Sequence, residues 1–390
     1  MTLEDIWQRL VNRRNQNDRA YIKTTHATDM LFKDYFLNYL KSIDGETRSR
    51  SFSATLTAAV HIINGLGNFK MSEIDKETLR KFLNGFAKKK YLRNPSDMQY
   101  DYYSQSEINK VYNLLHRAIR EASNEDGDKL LRLDYMANIK KPRTRQAKKP
   151  EPRPFTDKDI RSLLAAVSEN RMILTWVLIM LYTGARPSEI LALTWADINY
   201  SDKTISISRT LSQEDFYDTN HLKKLKPSVP IITDLKNERD DGQTNWQKRK
   251  LRVGNVLLLE LYSWKSFVDS NTALLKMKKA NHTENYLFCG PKGQLWLYEY
   301  YSQKYERLLK KHGLKYSDYN PYRFRHSYCT YLFRRNINMK AIQMIMGDNT
   351  PTMIMKVYAN LDKTDVLSGS ACLSNDIDNI LRIPCKGTKI

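Results

Sequence analysis

The sequence is poor in the features that mark secreted, zinc-bound or membrane-spanning proteins. Cysteine is scarce: Cys289, Cys329, Cys372 and Cys385 are scattered, with no CxxC pair and no His/Cys spacing suited to zinc. That pattern excludes a zinc ribbon and a dense disulfide framework, and the thiols are expected to be incidental or buried in a reducing cytosol. Long apolar runs are missing too. The longest, Met172 to Tyr182, is well short of the ~20 residues that cross a bilayer, so no membrane partner is expected. At the N-terminus, MTLEDIWQRL carries acids where a secretory signal needs positive charge. Acidic residues are the last deficit, with 43 Asp+Glu against 64 Lys+Arg and a net charge of +21. A folded chain so basic points to a polyanionic partner, because each phosphate it neutralises releases condensed counterions.

At 390 residues the chain can form two or three domains with proper cores. Residues 1–26 read as an N-terminal extension with one amphipathic helix, Leu3 to Val11, and a polar basic stretch. Apolar residues at helical spacing predict helices over Met30–Ile43 and Ser53–Leu66, and Asp75 caps a third. A capping box at Ser104 and Glu107 opens another that reaches Ala122. Residues 27–140 thus read as an all-helical domain. From 141 to 155 proline and basic residues dominate with no apolar period, which reads as an extended linker. Lys140 just before it and its own Lys141, Arg143, Arg145, Lys148, Lys149 and Arg153 are suited to tracking a phosphate backbone, and a solvated tether is the other reading.

A capping box at Thr156 and Asp159 starts a second domain, taken as 156–367, and residues 368–390 form a tail. Strands are expected at 202–211, 229–234 and Tyr286–Phe288, with a polar, charged insertion over Lys236–Arg252 and a helix over Asn255–Phe267. The fold class is therefore mainly α with a small antiparallel β-sheet.

Two stretches carry candidate chemistry. Arg186, between Thr183-Gly184-Ala185 and Pro187-Ser188-Glu189, is expected at a helix N-terminus, where backbone N–H groups attract anions. An ordinary surface arginine is the plain alternative. The second stretch, Pro321 to Leu361, holds Arg323, Arg325 and His326, an apolar helix ended by Gly347, and Tyr358 near the end of a further helix capped by Thr350 and Pro351. Guanidinium groups recognise phosphate oxygens in a planar, bidentate manner. With its ordinary pKa of about 10, tyrosine is a poor nucleophile and needs cationic neighbours or a base. Among 24 tyrosines, no physical property singles out Tyr358.

The order ARPSEILALTWADI, RFRHSYCTYL and IQMIMGDNTPTMIMKVYANL resembles the tyrosine recombinases, the integrases of phages and mobile elements. The resemblance runs from about residue 27 and implies a helical core-binding (SAM-like) domain, the linker and a catalytic domain. It implies an enzyme in which Tyr358 attacks a DNA phosphate to give a 3′-phosphotyrosyl link. Arg186 and Arg325 would clamp that phosphate, Glu189 would support the first arginine, and His326 would be structural. Lys236 matches the lysine that protonates the leaving oxygen, with Lys248 and Lys250 as the other candidates. No metal and no cofactor is implied. The partners implied are double-stranded DNA at attachment sites and three further copies in a homo-tetramer, with a host DNA-bending protein and an excisionase as accessory factors. A bacterial, cytoplasmic, nucleoid-associated protein would follow.

Two positions depart from the family pattern. Tyr322 stands where a histidine or lysine is usual, and Asp348 where histidine or tryptophan follows the glycine. Tyr322 can still donate a hydrogen bond to phosphate. A carboxylate facing the phosphate would repel it, so Asp348 is expected to pair with an arginine or to accept the Tyr358 hydroxyl proton. These departures favour one alternative, a catalytically weakened, sequence-specific DNA-binding protein on the same scaffold; a type IB topoisomerase-like enzyme shares the chemistry, and an RNA-binding helical protein would fit the charge but not the ordered motifs.

Overall fold

In the computed structural model the described residues are 29–43, 49–94, 98–124, 130–147, 153–218, 223–235, 247–348, 352, 354 and 355. The expectations for Leu3–Val11, Lys148, Lys149, Lys236, Thr350, Pro351, Tyr358 and the tail lie outside them. The chain divides into two compact units, residues 1–149 with 214–228, and 150–213 with 229–390.

The first unit begins with α1 (Phe32–Ser42) and α2 (Ser49–Leu66), followed by α3 (Lys76–Lys88). Asp75 caps α3 by accepting the Thr78 N–H. A two-stranded antiparallel ribbon follows, β1 (Lys90–Asn94) with β2 (Gln99–Tyr102), and then α4 (Gln105–Ala122). The ribbon corrects the all-helical expectation. Its sequence, KYLRN–PSD–MQYDY, has the β-forming tyrosines and the Pro-Ser-Asp turn signal of a hairpin, which the helices on either side obscured. Tyr91 of β1 stacks on Tyr103, and Tyr103 on Phe86 of α3, so the ribbon is held by its rings. At the start of α4, Ser104 Oγ accepts the Glu107 N–H while Glu107 Oε2 accepts the Ser104 N–H, the reciprocal cap anticipated in the sequence. The core consists of one face of each helix: Phe32, Phe36 and Leu40 of α1, Ile62 and Leu66 of α2, and Leu115 and Ile119 of α4. Each such side chain contributes about 1.5–3 kcal/mol through burial, and together these contributions hold the unit.

The basic segment after α4 is not a free tether over its described length. Pro142 O accepts from Gln105 Nε2, the Thr144 N–H donates to Gln105 Oε1, and Gln146 Nε2 donates to Asp101 Oδ2. Between these pinned residues, Lys141, Arg143 and Arg145 are exposed, as is Lys140. Alternation with a period of two is what an extended chain lying on a surface produces.

The second unit opens with α5 (Asp157–Val167), capped by Thr156 and Asp159, and α6 (Arg171–Thr183). A short α7 (Pro187–Leu191) leads to β3 (Ile198–Asn199), β4 (Thr204–Ile207), β5 (Arg209–Asp218), β6 (Lys223–Asp234) and β7 (Arg249–Arg252), the stretch 214–228 of β5 and β6 being counted with the first unit. Helices α8 (Asn255–Ser270), α9 (Thr272–Ala280), α10 (Tyr298–Lys311), α11 (Pro321–Arg334) and α12 (Met339–Met346) follow. β3, β4 and β7 form an antiparallel sheet in that order, and β5 pairs with β6. The single strand expected at 202–211 is thus two strands that belong to different sheets. The supposed insertion ends in β7, whose Leu251 pairs with Ile205. Tyr286–Phe288 makes only an isolated bridge, Tyr286 with Thr194, because one turn of chain there meets the segment after α7. Helix α6 is apolar all round because it is central: Trp176 is fully buried among Tyr298, Tyr301 and Tyr305. Among the described residues no helix is long and apolar enough to cross a membrane.

Helix α6 stops at Gly184, whose φ of 58° is left-handed. A Cβ there would lie 2.5 Å from the Tyr328 ring. Gly184→Ala is therefore expected to cost about 1–3 kcal/mol, from strain and from displacing that ring. Thermal unfolding measured by circular dichroism checks this, and an unchanged midpoint would contradict it.

Candidate active site

Just after that turn, Arg186 is the N-cap of α7 with Pro187 in the first turn, as the sequence predicts. The helix end already has its anion, which is internal. Glu189 Oε2 accepts the Arg186 backbone N–H at 3.0 Å, and Glu189 Oε1 accepts from Arg186 Nη1 at 2.7 Å. The chain thereby fixes both the backbone and the guanidinium of Arg186 with one carboxylate.

Arg325 arrives from α11. Residues two apart on a helix face different ways, and this separates Arg323 from Arg325. Arg323 turns to the start of the unit, donating to Arg153 O at 2.7 Å and lying 4.3 Å over the Phe155 ring. Its work is structural. Arg325 turns inward, only 3% exposed, and donates to Gly184 O at 3.1 Å and Met346 O at 2.6 Å. Burial first, and then the nearby Arg186 charge, push its guanidinium below the ordinary arginine value.

Asp348 joins the two arginines. Its Oδ1 lies 2.6 Å from Arg186 Nη2 and 2.7 Å from Arg325 Nη2. It follows Gly347, whose left-handed φ of 64° ends α12 and turns the chain back toward α7. The pairing with an arginine anticipated for Asp348 is present, and doubled.

A third guanidinium was not anticipated. Arg249 of β7 is 6% exposed at its side chain and donates to Glu189 Oε2 at 2.7 Å and to Ile345 O at 2.9 Å. A Cβ on Gly347 would stand 2.6 Å from Arg249 Nη1, so that glycine serves the close approach as well as the turn. The signal was available in RKLRV, since strand alternation puts Arg249 on the face of the buried Leu251 and Val253. The same alternation turns Lys250 outward, where it meets Asp202 at 3.4 Å on the exposed side. Lys250 is thereby separated from the cluster, whereas Lys248 is half-buried beside Arg249.

Three guanidinium groups and two carboxylates thus form one network with a positive excess. Burial works against ionised Glu189, but Arg249 and Arg186 outweigh it and hold its carboxyl below the ordinary glutamate value. Arg186 has its guanidinium raised: burial opposes its charge, and Glu189 and Asp348 more than compensate. Tyr322 stands on the first turn of α11 and is 63% exposed. His326 is half-buried on the same helix, its carbonyl accepting from Thr330 Oγ1 at 3.0 Å. Among the described residues no group of three or more His, Cys, Asp or Glu side chains is placed to hold a metal.

Glu189→Gln leaves the buried Arg249 without a counter-charge and should cost about 3–5 kcal/mol. Because the folded-state value of Glu189 is depressed, its contribution is complete above the unfolded glutamate value of about 4.3 and is lost as the pH falls through the folded value. Denaturant unfolding from neutral to acid pH should show that loss in the unsubstituted protein and a flatter curve in Glu189→Gln. Parallel curves would count against the network as the source.

Comparison with known proteins agrees with this layout. The family model described as "Phage integrase family" matches residues 153–365, more than half of the chain. A "Tyrosine recombinase XerC-like" protein of Caldanaerobacter subterraneus subsp. tengcongensis is 22% identical over 219 residues, covering 53% of this chain and 50% of the relative. The "Transposase from transposon Tn916" of Enterococcus faecalis is 24% identical over 196 residues, 47% of this chain and 41% of the relative. The chain therefore spans about half or less of the length of these curated relatives. Among solved structures, the Tn1549 transposon integrase in complex with a circular intermediate DNA matches with a TM-score of 0.65 at 19% identity, over 88% of this chain and 99% of that one. A lambda integrase tetramer bound to a Holliday junction matches at 0.53 and 15% identity, over 84% and 77% of the two chains. At such identities these two matches speak for the fold, which is mainly helical with small antiparallel sheets. Taken with the family match over the second unit, they lead to one conclusion: the chain belongs to the phage integrase family.

Proposed function

We propose that this protein is a site-specific DNA recombinase that cuts and rejoins strands by tyrosine transesterification, integrating or excising a mobile element or prophage. One observation carries the reading: Arg186 and Arg325, from helices distant in sequence, aim at a single shared oxygen. Two guanidinium groups converging on one acceptor make a seat for a non-bridging phosphate oxygen, where negative charge grows as a nucleophile attacks.

In this reading the Tyr358 phenol attacks phosphorus, forming the 3′-phosphotyrosyl bond while the bond to the 5′ oxygen breaks. Lys236 gives its proton to that oxygen, and half-buried Lys248 is the remaining alternative. Attack by a 5′-hydroxyl on the phosphotyrosyl bond then reseals a strand, so the bond energy is conserved and no cofactor is called for. Glu189 and Arg249 hold Arg186 in place, and Tyr322 offers a hydroxyl to the phosphate. In the helical unit Lys140, Lys141, Arg143 and Arg145 offer a row of charges to the DNA backbone, and Lys148, Lys149 and Arg153 are taken as further phosphate contacts. We take the domain limits as 27–140 for the core-binding domain and 156–367 for the catalytic domain. The working assembly would be a homo-tetramer on two sites, aided by a DNA-bending protein and an excisionase, in a bacterial cytoplasm.

A second reading, a DNA-binding protein with weakened catalysis, is favoured by Asp348 itself, whose carboxylate lies on the phosphate's seat. Nicked duplexes carrying the DNA that flanks the coding region separate the two. The unsubstituted protein should trap a covalent complex that Tyr358→Phe does not form, and Arg325→Ala should slow trapping about 10²–10³-fold. DNA binding without a covalent complex would favour the second reading. Relaxation of plasmid lacking any such site would instead mark a topoisomerase. Replacing Arg143 by alanine should weaken binding evenly across sequences and lower the salt slope by about one unit.

A further inference from the structure

Position and charge are supplied to the two arginines by different groups. Arg186 is fixed by Glu189, which accepts from its backbone N–H and from Nη1, and by Gly347 O, which lies 3.3 Å from Nη1 and 3.4 Å from Nη2. Arg325 is fixed by two carbonyls, Gly184 O at 3.1 Å and Met346 O at 2.6 Å. The glycine turns that end α6 and α12 thus aim both guanidinium planes without help from the Asp348 side chain. Carbonyls orient a cation but do not cancel its charge. Asp348 does that, and it stands where both arginines converge, with Oδ1 at 2.6 and 2.7 Å.

Three features make this carboxylate exchangeable. The first is charge: a phosphodiester carries one negative charge, as Asp348 does, so one can replace the other with the net charge of the network unchanged. The second is fit. Only Oδ1 meets the arginines, and Oδ2 is buried with no hydrogen-bond donor among the described residues, whereas a phosphodiester brings two non-bridging oxygens to the same donors. The third is anchorage. The Asp348 backbone N–H donates to Gln343 O at 3.2 Å, which closes the turn after α12, so the carboxylate can leave by rotation of its own side chain while the turn stays. The way in is on the Arg186 side, since that side chain is 35% exposed and Arg325 only 3%.

We infer that Asp348 is a displaceable plug, an internal anion that occupies the phosphate seat of the free protein and yields it to a phosphate of bound DNA. The inference rests on the recombinase reading above for the identity of the incoming group, and it adds a regulation of the same site. No bond is made or broken. A tethered competitor weakens every anion in proportion to the fraction of time that it holds the seat. A free phosphate, with nothing else to hold it, is thereby kept out, while a phosphate of a duplex already gripped elsewhere on the protein is presented at high local concentration and wins. The buried arginines are never left without a counter-charge.

Asp348→Ala clears the seat, and Asp348→Asn keeps the shape without the charge. Thermal unfolding of these variants and of the unsubstituted protein is followed as inorganic phosphate replaces chloride at constant ionic strength. Phosphate should raise the midpoint of Asp348→Ala at concentrations about ten-fold or more below those the unsubstituted protein needs, the effect of one charge-assisted contact, with Asp348→Asn between them. If Asp348→Ala is unfolded in chloride, its refolding on addition of phosphate is the same result. Adding Arg325→Ala to Asp348→Ala should abolish the extra response, which assigns it to the seat and not to the basic surface. An equal response in all three proteins, no refolding, or an extra response that survives Arg325→Ala overturns the inference. On the nicked duplex, Asp348→Asn should reach half-maximal trapping at a lower DNA concentration than the unsubstituted protein, whatever its final rate, and an equal or higher concentration overturns the inference as well. If no protein forms a covalent complex, the recombinase reading fails, and the phosphate response still decides whether Asp348 is a plug.

Discussion

Like charges held close together in a low-dielectric interior need a counter-charge, and the second unit is organised around that need. Arg325 is buried beside Arg186, and neither could keep its place alone. Glu189 and Asp348 supply the negative charge, and each serves two guanidinium groups at once. The secondary structure around them can be read as their support. α6 ends in a left-handed glycine so that Arg186 emerges at the right point, and α12 ends in another so that Asp348 does. β7 brings in Arg249 through the alternation of its strand. Removing either carboxylate would leave three guanidinium groups around a single negative charge, which makes the network cooperative in a way that apolar packing is not.

Much of this was legible in the sequence where the signal is local. Capping boxes at Ser104 and Thr156, the proline after Arg186 and the glycine after Met346 each act over three or four residues, and each fixes a helix end. The candidate residues Arg186, Glu189, Arg325 and Asp348 do meet, although only the order of motifs brought them together beforehand. What is not local depends on pairing. The β1–β2 ribbon lies between strong helices, and its alternation covers few residues. β4 and β5 are separated by one residue, Ser208, so a reading by composition merged them although they join different sheets. Arg249 was hidden for a related reason. It sits at the end of a polar stretch, and its inward direction shows in RKLRV only when that short run is read as a strand, which its pairing with β4 makes plain.

Neighbouring arginines also show how little a cluster in sequence says about a cluster in space. Arg323 and Arg325 are two positions apart and take opposite duties, one closing the start of the domain over the Phe155 ring and one entering the ion network. Helical geometry decides this, and it can be applied to a sequence as soon as the helix is recognised.

The basic segment after α4 has a quieter implication. Its polar partners at Gln105 and Asp101 hold every second residue down, so Lys141, Arg143 and Arg145 project from a backbone that is already ordered. A floppy basic arm loses conformational freedom when it meets a polyanion, whereas this one has lost that freedom in the act of folding. Its encounter with a charged rod would therefore resemble the fitting of a ruler more than the winding of a rope, with a tick spacing of about 6.6 Å between alternate residues of an extended chain.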